Sequence, residues 1–408
     1  MFSNKKKDYF WNTIGTFFQS ALSPILLIVV IRINGIDQSG IFSFAFSVSV
    51  AFWMISLWGG RTYQVSDVKN RFSYEQYILS RLLVCLLTFV GSLVFVFLNN
   101  YDINKSSLII TLVLVKIMES VADVFYGIMQ SNKKLYLAGM SLTFKTAISA
   151  LVFGVVDVLT KNVLLGCAAI LVVNISILIF YDIKKTLHIK KINLLKSGLK
   201  FRQSIQIIKK CTPAFIIGFL GLLPVVVSRY FIDLNSAGDS AYFGIFSMPV
   251  TLVGLLVVFA IQPNVVRLSE SYAKKDKNDF YGNVKTIIGV VYIVGALSLV
   301  AAWIVGVPIL DLVFGIDSER HKISLMFMVF GAIFSAIISI YTTIFTIIRK
   351  FRQHILVLSI TNLLLVIFYV LSGSAISLFV ASVCFSVIGL VQVVVLTRII
   401  FKNKEKNA

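Results

Sequence analysis

Residues 181–210 divide the sequence into two similar halves and read YDIKKTLHIKKINLLKSGLKFRQSIQIIKK. This longest polar interval of the chain holds nine lysines and arginines and a single acid, Asp182. Its apolar residues recur at near-helical spacing among the cations: Leu195, Leu199, Ile205 and Ile208. The pattern is typical of a cationic amphipathic helix on an anionic membrane surface, and a solvated basic linker is the alternative. In both cases the interval marks the cytoplasmic side and the joint between the halves.

The composition is that of a polytopic membrane protein. Of the 408 residues, 58% are hydrophobic and 14% are charged, whereas soluble domains have roughly 45–50% and 25%. The net charge of +20 does not indicate nucleic-acid binding, because the lysines and arginines lie between hydrophobic runs and not on one soluble face. The four cysteines lie in or beside apolar runs without metal-ligand spacing, so we expect no metal and no cofactor.

Twelve apolar runs are long enough to cross about 30 Å of hydrocarbon as helices. They lie at about 10–33, 41–60, 79–99, 107–128, 135–157, 162–181, 211–233, 241–262, 285–307, 322–347, 354–373 and 375–400. The sequence therefore predicts an all-α polytopic membrane protein with twelve transmembrane helices in two six-helix bundles. The bundles are predicted at 1–181 and 211–408, joined by a basic amphipathic cytoplasmic connector at 182–210.

The distribution of lysine and arginine predicts the orientation. If the N-terminus is inside, most of the 38 basic residues fall in the inner segments, as positive charge does in membrane proteins. Both termini are therefore expected on the cytoplasmic side of the cytoplasmic (inner) membrane. All outer loops are short, so no extracytoplasmic domain is expected.

Short sequence patterns recur in the two halves. SGIFSFAFS at 39–47 and SAYFGIFSM at 240–248 each open the second helix of a half. The first helix of each half ends with an arginine, Arg32 or Arg229, that an acid follows. With six helices per half, such a repeat is parallel, and a duplication with a site between the halves is a transporter architecture.

One segment carries a family resemblance. Residues 59–67, GGRTYQVSD, together with Phe72-Ser73 and Tyr77-Ile78-Leu79-Ser80-Arg81, resemble the region after the second helix of Wzx-type polysaccharide flippases. These proteins belong to the multidrug/oligosaccharidyl-lipid/polysaccharide exporter superfamily. Three further residues also look typical of the family: Asn12, Arg32 and Gly40.

The resemblance implies a function. It implies that undecaprenyl-pyrophosphate-linked oligosaccharide repeat units cross the membrane for O-antigen or capsule synthesis, by alternating access of the two bundles through a cationic central cavity. It implies a transporter and not an enzyme. The implied partners are the lipid-linked oligosaccharide, membrane lipids, a polysaccharide polymerase and chain-length machinery.

Two arginines near the outer membrane interface are candidates for binding a pyrophosphate. Arg32 and Arg229 lie at similar depth in the first and seventh helices, and a guanidinium group pairs well with phosphate oxygens. The alternative is that both extend to lipid headgroups or pair with Asp37 and Asp233.

Two lysines at mid-membrane depth are stronger candidates, because a charge there costs roughly 2.5–3.5 kcal/mol and must face a cavity or a partner. Lys116 and Lys145 are predicted to line the cavity and bind the anionic substrate. Glu119 and Asp123 follow Lys116 on the same helical face and are candidates for ion coupling. The alternative is a structural ladder of ion pairs.

The remaining function classes are less favoured. The sequence holds no catalytic constellation and no phosphate-binding GxxxxGK[ST] loop, so ATP is not expected as the direct energy source. An ion-coupled drug exporter of the same superfamily is the first alternative. A membrane polysaccharide polymerase is the second, although its typical large outer loops are absent.

Overall fold

The computed structural model describes residues 2–67, 71–190, 201–274, 276–348 and 350–406. Regular structure in these ranges is helical throughout, without a strand, which confirms the predicted all-α class. The chain forms two compact units, Met1–Phe219 and Leu220–Ala408. The centre of the predicted connector, with Leu195 and Leu199, lies outside the described residues.

The first unit contains α1 to α7 and the first part of α8. These helices are α1 (Phe2–Leu57), α2 (Gly60–Ser66), α3 (Tyr74–Asn99), α4 (Ile103–Ser131), α5 (Leu135–Thr160), α6 (Val163–Ile177), α7 (Lys184–Ile189) and α8 (Phe201–Asp233). A π-helical segment, Leu178–Ile183, joins α6 to α7 without a break.

Helix α1 corresponds to the first two predicted spans. Its 56 residues would extend about 84 Å if straight, far more than the hydrocarbon thickness. The helix is interrupted at Gly35, whose φ of 85° and ψ of 177° lie in a region open essentially to glycine alone. The predicted spans leave an outer loop at 34–40, and its predicted length is wrong. Only Gly35 departs from helical geometry, and the helix continues directly after it.

The second unit contains the rest of α8 and six further helices. These are α9 (Ala237–Ala273), α10 (Lys277–Ala301), α11 (Val307–Phe314), α12 (Lys322–Ile347), α13 (Phe351–Ser372) and α14 (Leu378–Lys406). A π-helical segment, Ala302–Gly306, links α10 to α11. Twelve spans result when α1 is counted as two helices, α6–α7 and α10–α11 are each counted as one, and the seven-residue α2 is left out. The described residues therefore provide the twelve predicted segments.

Nine stretches in the described ranges are long and apolar enough to cross a membrane. Helix α4 is not one of them, although it lies among them in sequence. Any 18-residue window of α4 includes three charged residues, drawn from Lys105, Lys116, Glu119 and Asp123. Its charge density therefore marks α4 as the helix that carries polar chemistry in the first unit.

The fourth spanning segment is the central helix of each unit. Helix α4 packs against α1, α3, α5 and α6, and α12 packs against α9, α10, α13 and α14. Both helices contribute much of the buried core of their unit, including Ile128 on α4 and Ile337 on α12. This correspondence agrees with the internal repeat predicted from the sequence.

Polar residues between the apolar runs cap several helices. The Asp102 carboxylate accepts hydrogen bonds from the backbone N–H groups of Asn104 and Lys105, at 3.1 and 3.2 Å, and so begins α4. The Asn162 side chain accepts from the N–H of Leu164 at 3.0 Å and begins α6. Such caps pair N–H groups that lack a partner in the first helical turn, so these short turns determine where the helices begin.

Candidate functional site

A cavity of about 290 Å³ lies inside the first unit. Its wall combines four charged side chains with several amides and hydroxyls: Arg61, Glu119, Asp123, Lys145, Gln19, Thr62, Thr146, Ser149 and Asn174. These residues come from α1, α2, α4, α5 and α6. A volume of this size is at the small end of ligand pockets, which span about 300–1,000 Å³.

Two arginines share one carboxylate at this cavity. Arg61 Nη1 lies 3.2 Å from Asp123 Oδ1, and Arg81 Nη2 lies 3.0 Å from Asp123 Oδ2. Arg61 also donates to Gln130 Oε1 from Nε and Nη2, at 3.1 and 3.0 Å. Asp123 is thus compensated by two guanidinium groups, one on each carboxylate oxygen.

The segment that carries the family resemblance forms this part of the wall. Gly59, with φ of 65°, has a left-handed conformation directly before α2 and lets this short helix begin beside the cavity. A Cβ atom at Gly60 would lie 3.1 Å from Arg81 Nη2, so a larger residue there would press against this guanidinium group. The Gln64 amide donates to the carbonyl of Val124 at 3.2 Å and anchors α2 on α4.

The end of the same segment is tied down by Asp67. Its carboxylate accepts from the backbone N–H groups of Arg71 and Phe72 and from the Tyr77 hydroxyl, at 3.0–3.1 Å. Partial burial alone would raise the pKa of Asp67, but these hydrogen bonds and the charge of Arg71 together lower that pKa below its ordinary value. Asp67 is therefore a structural anion that positions the loop before α3.

Lys145 belongs to a buried polar network. Its ammonium group lies 3.0 Å from Asp182 Oδ2 and 3.0 Å from the Tyr126 hydroxyl. Ser141 completes the network, with its hydroxyl donating to Asp182 Oδ1 at 2.5 Å. Asp182 is fully buried and lies in the π-helical segment after α6, a type of bulge that is frequent at functional sites.

Lys116 forms a separate ion pair on α4. Its ammonium group donates to both carboxylate oxygens of Glu119, at 3.0 Å each. The same group lies 5.2 and 5.1 Å from the ring centroids of Phe46 and Trp53, within cation–π range. Lys116 is thus turned toward aromatic rings, and Glu119 is the member of the pair that lines the cavity.

The structure brings only some of the predicted site residues to this cavity. Glu119, Asp123 and Lys145 line it, whereas Lys116 reaches it only through Glu119. Arg32 lies exposed near the Gly35 kink and is not a lining residue. Arg229 is buried in the second unit, where it donates to the Ser247 hydroxyl at 2.8 Å.

Sequence reasoning missed three members of the cluster. Arg61 and Arg81 lie in the segment that carries the family resemblance, but neither was selected as a site residue. Asp182 was counted only as the single acid of the connector. With these three included, the cluster around the cavity holds one more cation than it holds carboxylates, so the cavity is less cationic than expected.

One buried carboxylate of the first unit differs from the others. Asp157, on α5, is fully buried, and its Oδ2 accepts a hydrogen bond from Asn34 Nδ2 at 2.7 Å. Within the described ranges no cation pairs with it, and its Oδ1 has no hydrogen-bond partner. An uncompensated buried carboxylate is costly when ionised, so Asp157 is the acid of this unit best suited to hold a proton.

Metal binding has no support in the described part of the chain, where no group of three histidine, cysteine or acidic side chains could hold an ion.

Comparison with known proteins gives one curated relative and several solved structures. No protein-family model matches the chain. The chain is 23% identical over 340 residues to the capsular polysaccharide biosynthesis protein CapF of Staphylococcus aureus, covering 80% of this chain and 82% of that protein.

The solved structures similar to the chain include flippases and transporters. The lipid II flippase MurJ, in an inward closed conformation, matches with a TM-score of 0.71 and 16% identity, over 96% of this chain and 87% of that one. An inward-facing multidrug resistance MATE family transporter matches with a TM-score of 0.62 and 12% identity, over 97% and 100% of the two chains. The Vibrio cholerae MATE transporter VcmN, in its bent form, matches with a TM-score of 0.58 and 11% identity, over 97% of each chain.

These similarities confirm the helical membrane fold that the sequence predicts, and they agree with the superfamily resemblance. They also agree with a multi-pass transporter and not an enzyme.

Proposed function

We propose that this chain, which has the fold of the exporter superfamily, translocates undecaprenyl-pyrophosphate-linked oligosaccharide repeat units for surface polysaccharide synthesis. The similarity to a capsular polysaccharide biosynthesis protein and to a lipid II flippase supports this choice of substrate class. We place the chain in the cytoplasmic membrane with both termini inside, and we keep a polysaccharide polymerase and chain-length machinery as its proposed partners.

The observation that carries the proposal is the pair of cations, Arg61 and Lys145, in the wall of the cavity. Arg61 and Lys145 both line it, beside amides and hydroxyls that suit a sugar. A guanidinium group binds phosphate oxygens through paired donors, and an ammonium group adds a point charge. We propose that this cavity of about 290 Å³ takes up the pyrophosphate and the adjoining sugar, while the lipid tail stays in the membrane.

The roles of the sequence-predicted residues follow from their positions. We propose that Lys145 contacts the anionic head while it stays paired with Asp182, and that Lys116 acts by holding Glu119 at the cavity wall. Arg32 and Arg229 remain proposed phosphate ligands at other stages of transport. For ion coupling, Glu119 and Asp123 are each paired with cations, and we therefore add Asp157 as the candidate that can exchange a proton.

The membrane potential can drive the proposed movement. One elementary charge moved through 100 mV is worth about 2.3 kcal/mol. An anionic pyrophosphate that moves outward is favoured by an inside-negative potential, so a flippase of this type needs no nucleotide.

The test is to measure lipid-linked repeat units by mass spectrometry in cells that lack the chain, together with surface polysaccharide. We expect intact repeats to accumulate on the inner leaflet and surface polymer to fall. Wild-type chain and Arg202→Gln, which changes an exposed arginine of α8, should restore both, whereas Arg61→Gln should not. Accumulation on the outer leaflet would instead indicate a polymerase.

An ion-coupled exporter of small molecules is the second candidate. The small cavity and the uncompensated Asp157 favour it, as does the similarity to MATE transporters. Normal repeat-unit levels in cells without the chain, combined with increased sensitivity to amphipathic cations, would support this alternative.

A further inference from the structure

The cluster of Arg61, Asp123 and Arg81 contains one cation more than the carboxylate needs. We propose that Arg81 is a positioning residue that holds Asp123, so that Arg61 can leave this carboxylate and bind an anionic phosphate group in the cavity. This inference rests on the proposed function and describes how its cavity takes up the anionic head.

The two arginines differ in their freedom to move. The Arg81 side chain is 4% exposed, and the Arg61 side chain is 26% exposed. Arg81 Nη1 donates to the carbonyls of Ser56 and Leu57, at 2.8 and 2.5 Å. These carbonyls lie at the end of α1, where helical partners are missing, so Arg81 caps a helix and is held in place by it.

Arg61 is held more weakly. Among the described residues its only charged partner is Asp123, whose Oδ1 lies 3.2 Å from Arg61 Nη1. Its other hydrogen-bond acceptor is the neutral amide of Gln130. It lies in the short helix α2, directly after Gly59 and Gly60, and it lines the cavity from which an anion would approach. Arg61 is therefore the arginine that can exchange its partner.

The second arginine matters because Asp123 must keep a cation partner while Arg61 exchanges its own partner. A partly buried carboxylate that loses its only cation is strongly penalised. With Arg81 still bound to Oδ2, Asp123 stays compensated when Arg61 turns to a phosphate. In the described ranges, Glu119 and Asp182 each pair with one cation. If Lys116 or Lys145 left its carboxylate, that carboxylate would therefore lose its only cation.

The experiment measures the affinity of inorganic pyrophosphate for the purified full chain in detergent by isothermal titration calorimetry. Arg61→Gln removes the proposed ligand and should weaken binding by at least about tenfold. Arg81→Gln leaves Arg61 intact but makes it the only cation on Asp123, and it should weaken binding by a similar factor. Arg81→Lys retains the charge and should bind nearly as wild type does. The matched control, Arg202→Gln, should not change the affinity.

The decisive variant is Arg81→Gln combined with Asp123→Asn. Without the Asp123 carboxylate, Arg61 forms no ion pair that must break before it binds pyrophosphate. The pyrophosphate affinity should therefore return to at least the wild-type value. A purely structural role of Arg81 predicts no such recovery, and failure to recover in a chain with a wild-type melting temperature would overturn the inference. If Arg81→Gln alone does not fold, its effect is measured within the Asp123→Asn background, where the inference predicts none.

Two further outcomes separate this inference from the proposed function. Wild-type affinity in Arg81→Gln would overturn the role of Arg81 and leave the anion-binding cavity intact. No pyrophosphate binding by the wild-type chain would overturn both the exchange and the cavity on which it rests.

Discussion

Individual residues of the first unit show how a membrane protein can hold charge inside. Lys145 and Asp182 form a buried pair, and a buried pair that loses one member leaves the other uncompensated. We expect Lys145→Met to destabilise the chain by about 3–5 kcal/mol. The measurement is denaturant unfolding in detergent, with Lys134→Met as the exposed control. Lys145→Met combined with Asp182→Asn should recover part of the loss, and no recovery would show that the pair is not the cause.

Asp67 gives a prediction of pH dependence. Because its pKa is lowered in the folded chain, its contribution to stability is complete above the unfolded pKa of about 3.9. That contribution is lost as the pH falls through the folded pKa. We expect Asp67→Asn to lower the melting temperature at pH 7 by about 2 °C and to have a smaller effect near pH 3, below the unfolded pKa. An equal loss at both values would contradict the role of its charge.

The sequence identified those site residues that are charged and lie within an apolar run. Lys116 and Lys145 were predictable because each interrupts a hydrophobic helix. Their partners were harder to find, since Asp182 lies 37 residues beyond Lys145 in a segment that reads as a polar connector. No periodic pattern in the sequence predicts that two arginines pair with Asp123, because this contact depends on how α2 and α3 pack against α4.

At the scale of elements, the break in α1 depends on a single residue. The sequence predicted two helices and an outer loop, and the dipeptide Asn34-Gly35 is a recognised turn signal. The length of the loop could not be predicted, since one glycine at φ of 85° is sufficient. We expect Gly35→Ala to cost about 1–3 kcal/mol in unfolding experiments, because alanine is strained in this conformation. Gly154→Ala, inside a helix with open space around it, should not lower the stability and can raise it by up to about 1 kcal/mol.

The first part of α8 is bound to the first unit through Trp58. The indole N–H donates to the Ile208 carbonyl at 3.2 Å, and the ring stacks on Phe215 at 3.9 Å between centroids. We expect Trp58→Ala to increase amide hydrogen exchange in residues 201–219 by at least about tenfold. Trp58→Phe retains the stacking and should show a smaller increase. Unchanged exchange in both variants would contradict this anchor.

At the scale of the whole molecule, length and hydropathy were enough to predict twelve helices. Most predicted boundaries lie within a few residues of the observed ones, because a bilayer sets a minimum length for an apolar span. The larger differences occur where helices such as α8 and α9 extend beyond the apolar span. The two compact units also agree with a duplicated chain, although the compact division falls at Phe219 and Leu220, inside α8. The predicted bundles and connector remain an expectation about the membrane.

Orientation gives the prediction that belongs to this scale. Because basic residues concentrate in alternate loops, we expect reporters fused at either terminus to be active only as cytoplasmic proteins. The measurement compares a phosphatase that needs export with a fluorescent protein that needs the cytoplasm. Phosphatase activity at either end would contradict the expected orientation.

The charges of α4 have a consequence for how the chain enters the bilayer during synthesis. Three charges near the middle of a span cost roughly 8–10 kcal/mol on insertion scales, so α4 is a poor candidate to leave the translocon alone. The two arginines that compensate Asp123 are N-terminal to it, on α2 and α3, and are synthesised before α4 emerges. Biogenesis therefore favours a cooperative step in which the earlier helices remain beside the translocon until α4 can join them as a neutralised group.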